Sequence, residues 1–276
     1  MASILVPVSI LGGIALFFGI FLIISAEKFK VEVDERVVQI EEVLPGSNCG
    51  ACGAPGCSAF AAGVAHGEYP VDGCKAGGEE VAVKIAEIMG VEADVGGGEE
   101  VAVLRCLGDY EVAKRIADYS GIKTCIALDQ LGGDKGCKYG CLGLGDCVDA
   151  CPFDAIEMGD RGLPYVVEEN CTACGVCVET CPRGLFELIP KSQDIYLACI
   201  SPEDAKTVKQ ACSRGCIGCS LCTRVTENEM VTMDGKIAVV HWDKIEDNSQ
   251  LEPAMEKCPA DTYIRRSELA GAEARV

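Results

Sequence analysis

Histidine is almost missing from this chain: His66 and His241 are the only two among 276 residues. General acid–base catalysis near neutral pH leans on that side chain, and each of these two reads as a surface or structural residue. Carboxylates offer no substitute, because the pairs Glu41-Glu42, Glu79-Glu80 and Glu99-Glu100 are neighbours along the chain and read as solvated charge. No G-x-G-x-x-G opens a helix after a strand and there is no Walker loop, so no nucleotide pocket is supported. Basic residues are also short. Lys and Arg number 24 against 43 Asp and Glu, a formal net charge of −19; with no basic stripe or aromatic-lined groove, nucleic acid is excluded as a partner. Aromatics make up 5 % of the chain, with Trp242 the one tryptophan, read as strand packing, against 32 glycines. Such a composition builds small modules with little hydrocarbon core, which need another staple.

Cysteine is what the chain has in excess. Twenty cysteines imply a disulfide scaffold, a zinc array or iron–sulfur clusters. The N-terminus bears on that choice. Ile4 to Ser25 is an uncharged apolar run of 22 residues, about 33 Å long as a helix against a hydrocarbon core of about 30 Å. No Lys or Arg precedes it and it is longer than a signal-peptide core, so it is expected to span the membrane once. Lys28, Lys30 and Arg36 follow it, which places the rest of the chain in the cytoplasm. Cytoplasm is reducing, and the disulfide scaffold falls away.

The stretch "NCGACGAPGC" opens the first cysteine group, with Cys49, Cys52, Cys57 and Cys74 spaced C-x2-C-x4-C-x16-C. Further on, Cys171, Cys174, Cys177 and Cys181-Pro182 form C-x2-C-x2-C-x3-C-P, the bacterial ferredoxin run for a [4Fe-4S] cluster. Zinc sites use two separated C-x2-4-C pairs instead. In two-cluster ferredoxins the fourth cysteine of each run serves the other cluster, so Cys171, Cys174 and Cys177 are expected to share a cluster with Cys151. The preceding run is Cys137, Cys141, Cys147 and Cys151, with Leu144 where a middle thiol belongs. Cys137 is taken as the substitute that joins Cys141, Cys147 and Cys181, in preference to Cys125. A third block, "CSRGCIGCSLCTRVT", matches the 137–151 stretch but has Thr226 in place of its last cysteine; Cys216, Cys219, Cys222 and the distant Cys258 make one further set. Between them, "MVTMDGKIAVVHWDKI" alternates as a hairpin does. Cys106, Cys125, Cys199 and Cys212 are left over, either as joint ligands of another cluster or as buried thiols. The near-identical octapeptides "GGEEVAVK" (77–84) and "GGEEVAVL" (97–104) are expected to split, the first continuing as a helix and the second forming a strand, across a glycine joint at 96–98.

The N-terminal apolar helix, the C-x2-C-x4-C-x16-C group and the tandem ferredoxin motifs together resemble the B subunit of the Rnf complex, the membrane-bound ferredoxin-oxidising electron-transport complex. The first group is also similar to the iron–sulfur domain of corrinoid iron–sulfur proteins. The expected fold class is α+β: a transmembrane helix (1–26), a connector (27–42), a small helical [4Fe-4S] domain (43–95), a linking segment (96–136), a ferredoxin-like domain (137–190) and a second, degenerate one (191–276). The resemblance implies a subunit of an ion-translocating ferredoxin:acceptor oxidoreductase with no catalytic site of its own. It would hold at least four [4Fe-4S] clusters, take electrons from ferredoxin, and pass them to other membrane subunits that move Na⁺ or H⁺. It would sit at the cell membrane with its cluster-bearing part in the cytoplasm. An iron–sulfur subunit of another membrane oxidoreductase and a cluster-based redox sensor are the competing readings; the sensor would need an output domain, which is not visible. Ferredoxins are acidic, so docking on this acidic chain calls for a local basic patch. Lys206, Lys209 and Arg214, or Lys135 and Lys138, are its candidates.

Overall fold

The computed structural model describes residues 2–28, 34–92 and 99–267, with backbone alone at 2–10, 26 and 27. The glycine joint at 96–98 lies outside the described residues. Helix α1 runs unbroken from Ala2–Lys28. Its described apolar side chains point outward, with Leu11, Phe17 and Ile24 all more than half exposed, and none joins a buried core. Among the described residues no helix is long and apolar enough to cross a membrane; in α1 the described side chains are those of 11–25 and 28.

Three helices form the next unit: α2 (Glu35–Val43), α3 (Cys57–His66) and α4 (Gly78–Met89). Asp34 starts α2 by accepting the amide of Arg36 at 2.9 Å, an N-cap contact. Ile40 of α2 is fully buried among Phe60, Val64 and Ile85, a contribution of about 2 kcal/mol from apolar burial. The helical part of the connector is therefore a packed member of this unit rather than a spacer. In α4, Ala82, Ile85 and Ala86 recur on one face and are buried, which is why the first octapeptide folds as a helix.

The second octapeptide becomes strand β1 (Glu100–Leu104). Every residue of it after Glu100 is buried, because the strand divides two cores: Ala102 and Leu104 face one, Val101 and Val103 the other. The chain then runs through α5 (Cys125–Gln130), α6 (Asp146–Asp149), β2 (Ile156–Met158), β3 (Pro164–Val166), α7 (Val176–Thr180) and β4 (Phe186–Pro190). Strand β1 pairs antiparallel with β4, from Glu100↔Pro190 to Leu104↔Phe186, and β2 pairs with β3. First strand with last, middle strands as a hairpin, two short helices before the hairpin and one after it: this half therefore begins at β1, within the segment read as a linker.

The same order repeats. It comprises β5 (Ile195–Leu197), α8 (Ala205–Ala211), α9 (Cys222–Val225), β6 (Val231–Asp234), β7 (Ile237–Val240), α10 (Glu252–Lys257) and β8 (Tyr263–Arg265). Here β5 pairs with β8, and β6 with β7. Gly235, at φ +60°, opens the two-residue loop between β6 and β7, a backbone position that favours glycine. The β1–β4 and β5–β8 ribbons bury Val101, Ile189, Tyr196 and Ile264 between them, and the Tyr196 hydroxyl donates to the Leu104 carbonyl at 3.3 Å. The two halves thus share a core.

Candidate iron–sulfur centres

Cys49, Cys52, Cys57 and Cys74 line one cavity. The loop that carries them turns at Asn48, Gly50 and Gly53, all with positive φ. Asn48 fixes the entry to α3 by accepting the amide of Cys57 at 2.8 Å, and a Cβ on Gly56 would stand 2.9 Å from that same oxygen. Glycine is required there by close approach. Cys74 returns from beyond α3 to the same place. Its thiol is pushed up by burial, with Cys52, Cys57 and Cys49 adding to the shift.

In the first ferredoxin-like half, Cys151, Cys171 and Cys177 pack in one core, and Cys174 stands near Cys177 and Cys151. Burial pushes the Cys177 thiol up to about 12, and Cys171, Cys174, Cys147 and Cys151 push in the same direction. Cys174 feels Cys49 as well as Cys151, so the first unit stands against this one.

The neighbouring group differs from the sequence assignment. Cys141, Cys147 and Cys181 line a cavity with Cys125, among Leu104, Leu185 and Phe186; Cys137 is elsewhere. Two contacts explain the exchange. Asp146 accepts the amides of Cys125 at 2.8 Å and Ile126 at 3.3 Å, which anchors the start of α5 beside Cys147. Arg183, next to Pro182, donates to the carbonyls of Gly140 at 2.7 Å and Cys137 at 3.2 Å and pairs with Asp129 at 2.7 Å. The loop bearing Cys137 is thereby held with that residue on a separate cavity, which Cys106, Cys199 and Cys212 also line. The signal that could have found Cys125 is Thr124, which accepts the Ala127 amide and caps α5; it marks a helix start that presents a thiol.

In the second half, Cys216, Cys219, Cys222 and Cys258 line a further cavity. Gly218, at φ +64°, permits the turn between them, since a Cβ there would lie 2.7 Å from the Lys236 carbonyl oxygen. Thr226, at the position of a lost thiol, donates to the Cys222 carbonyl at 2.9 Å. In place of the three thiols missing before Cys258, the chain folds a capped turn over Asn248–Leu251, held by Asp247 and Gln250, and then α10.

The three Cys-Pro positions share one local geometry. Each sulfur accepts the amide four residues on: Ala155 to Cys151 at 3.4 Å, Leu185 to Cys181 at 3.5 Å, Thr262 to Cys258 at 3.5 Å. Such N–H···S bonds stabilise a thiolate ligand and tune the cluster it holds. Three buried hydroxyls each belong to a different thiol group: Ser47, on the first cavity, has no hydrogen-bond partner among the described residues, while Thr172 stands against the Cys174 sulfur and Tyr263 against the Cys222 sulfur. Hydroxyl donors placed at sulfur fit an inorganic cluster held by thiolates. Among the described residues no group of three or more His, Cys, Asp or Glu side chains closes on a point as a single metal ion requires; the thiols of the Cys49, Cys125 and Cys216 groups line cavities instead. The histidines take no part. His66 is exposed at the end of α3, and His241 Nε2 lies 2.8 Å from the Thr232 hydroxyl. Trp242 packs between cores and donates to Glu187 at 2.8 Å.

Known proteins carry the same segments. A family model for an Fe-S cluster matches residues 44–76, and one for a 4Fe-4S dicluster domain matches residues 138–188. The B subunit of a Na⁺-translocating ferredoxin:NAD⁺ oxidoreductase complex from Acetobacterium woodii is 42 % identical over 258 residues, 93 % of this chain and 76 % of the relative. The B subunit of an ion-translocating oxidoreductase complex from Methanosarcina acetivorans is 39 % identical over 81 % of this chain and 85 % of its own length. The B subunit of a proton-translocating ferredoxin:NAD⁺ oxidoreductase complex from Clostridium ljungdahlii is 38 % identical over 86 % and 83 %.

Proposed function

This chain belongs to the family of B subunits of ion-translocating oxidoreductase complexes, and from that premise we propose that it relays electrons from reduced ferredoxin to membrane-embedded subunits of the same complex. Four [4Fe-4S] clusters would be held by the Cys49 group, the Cys171 group with Cys151, the group of Cys125, Cys141, Cys147 and Cys181, and the Cys216 group with Cys258. Each cluster, when bound, supplies a one-electron couple. The residues of the chain do the rest: they fix the sites side by side, exclude water with Leu185, Phe186 and Phe60, and direct amides at the sulfurs.

The observation that carries this reading is the contiguity of the thiol groups. Cys49 is within electrostatic reach of Cys174, and Cys147 of Cys177, whereas the sequence supplies no acid–base or nucleotide-binding motif to accompany them. Electrons enter through the ferredoxin-like halves and leave through the Cys49 group, which a short segment tethers to α1. Tethering gives that group a high effective concentration for a membrane acceptor.

The same proposal puts the chain at the cell membrane, crossing it once, with the thiol-bearing part in the cytoplasm. Supporting this, α1 is 27 residues of continuous helix, about 40 Å long, its sequence from Ile4 to Ser25 is uncharged, and Lys28, Lys30 and Arg36 follow it.

The test is to purify the full chain in detergent without oxygen and mix it with reduced ferredoxin. Broad visible absorbance that bleaches on mixing is the expected result. Zinc in place of iron, or iron-loaded protein that stays oxidised, would overturn the reading.

A further inference from the structure

Cys106, Cys137 and the pair Cys199 and Cys212, which flank α8, come from three separate parts of the chain, yet all four line one cavity of about 300 Å³. A thiol used only as a small core side chain sits in filled space; these four surround open space. A Cβ on Gly108 would stand 3.5 Å from Cys106 Sγ and 3.8 Å from Cys212 Sγ, so both sulfurs are reached from one point. A Cβ on Gly140 would likewise stand 3.6 Å from the Cys137 sulfur.

The sulfurs are also solvated by the backbone. Cys106 Sγ accepts the amides of Cys141 at 3.3 Å and Gly108 at 3.4 Å, and Cys199 Sγ accepts the amide of Cys216 at 3.3 Å. These are the kind of bonds seen at the Cys-Pro sulfurs. Charge points the same way. In a chain of net charge −19, Arg105, Lys138 and Arg214 are among the residues that line this cavity, with Glu203 the one acidic residue on the lining, although Arg105 also pairs with Glu187 at 2.9 Å. Lys135 is buried beside it, its ammonium donating to the Gly108 carbonyl at 2.8 Å and lying 4.7 Å from the centre of the Tyr110 ring. A buried cation with no carboxylate bonded to it is costly unless an anion stands nearby.

We infer that Cys106, Cys137, Cys199 and Cys212 hold a fifth [4Fe-4S] cluster, which bridges the two ferredoxin-like halves. On binding, four S–H bonds break, four S–Fe bonds form and four protons pass to solvent; the single positive charge of Lys135 offsets part of the anionic charge that results. The bridging position follows from the amides: Cys106 receives one from Cys141, a member of the Cys125 group, and Cys199 receives one from Cys216, of the last group. One electron at a time can then pass from the Cys216 group through this site to the Cys125 group, the Cys171 group and the Cys49 group. This inference rests on the electron-relay reading, but its test needs no electron transfer, so the two fail separately.

The experiment is iron and acid-labile sulfide analysis of the full chain, purified without oxygen in detergent, as wild type and as Cys199→Ala and Cys212→Ala. Five cubanes give about twenty iron atoms per chain, and each variant should keep about sixteen. A wild-type value of about sixteen that neither variant changes overturns the inference, and so does a value of about twenty that neither variant lowers. If a variant loses far more iron than one cluster holds, Lys135→Met decides. Removing that charge should leave the iron content intact and lower the reduction potential of one cluster in an anoxic potentiometric titration followed by electron paramagnetic resonance. Unshifted potentials in that variant overturn the inference.

Discussion

The carboxylate of Asp146 accepts the amide of Cys125 at 2.8 Å. This contact reaches across 21 residues and decides which thiol completes the group of Cys141, Cys147 and Cys181. Replacing Cys125 by Ala should therefore remove that cluster, while Cys137→Ala should leave it in place. Asp146→Ala should weaken it by about 1–2 kcal/mol, roughly a tenfold faster loss of iron to a chelator. Equal damage from Cys125→Ala and Cys137→Ala would contradict the placement.

Deleting residues 1–28 should move the protein from the membrane fraction to the soluble one with its iron content unchanged. Every thiol lies beyond α1, and no described side chain of α1 enters a core. A soluble full-length chain would refute the anchoring role.

Burial, with neighbouring thiols adding to it, holds Cys147 and Cys177 at about 12 in the folded protein. A folded value raised above the ordinary thiol value of about 8.5 contributes stability that is complete below that value and lost as pH climbs toward 12. The cluster-free, reduced protein should thus keep a constant urea midpoint up to about pH 8 and lose stability steadily above about pH 9. Cluster loading displaces the same protons and so runs the other way, tighter at about pH 8 than at about pH 6. A midpoint that rises across the alkaline window would disprove the burial of these thiols.

Burial and pairing narrow the basic docking patch. Lys135 is only 2 % exposed and Arg214 is engaged with the Asp261 carbonyl at 2.8 Å, whereas Lys206 and Lys209 on α8 and Lys138 are exposed. Reversing charge with Lys206→Glu and Lys209→Glu should raise KM for reduced ferredoxin several-fold with little change in kcat, and most strongly at low salt. An effect independent of ionic strength would place docking elsewhere.

Disrupting the first site alone, with Cys52→Ala in the assembled complex, should leave the remaining clusters reducible by ferredoxin while transfer to the membrane subunits stops. Should the ferredoxin-like halves stay oxidised instead, the Cys49 group is the entry point and the direction proposed above is reversed.

The thiols that sequence alone could group are those set by one loop: Cys49, Cys52 and Cys57, Cys171, Cys174 and Cys177, and Cys216, Cys219 and Cys222 each fall within nine residues or fewer, where spacing fixes what the backbone can bring together. The Asp234-Gly235 turn and the helical face of α4 were legible for the same reason, since turn chemistry and side-chain period are local. The two octapeptides mark the limit: their residues are nearly identical, and β1 is a strand because β4 pairs with it and a core waits on each side. Cys106, Cys125, Cys137, Cys199 and Cys212 lay past that limit. Their partners are set by the β1–β4 ribbon, by Asp146 and Arg183 holding loops from a distance, and by the packing of one half on the other, and such long-range closures leave no period or spacing in the chain.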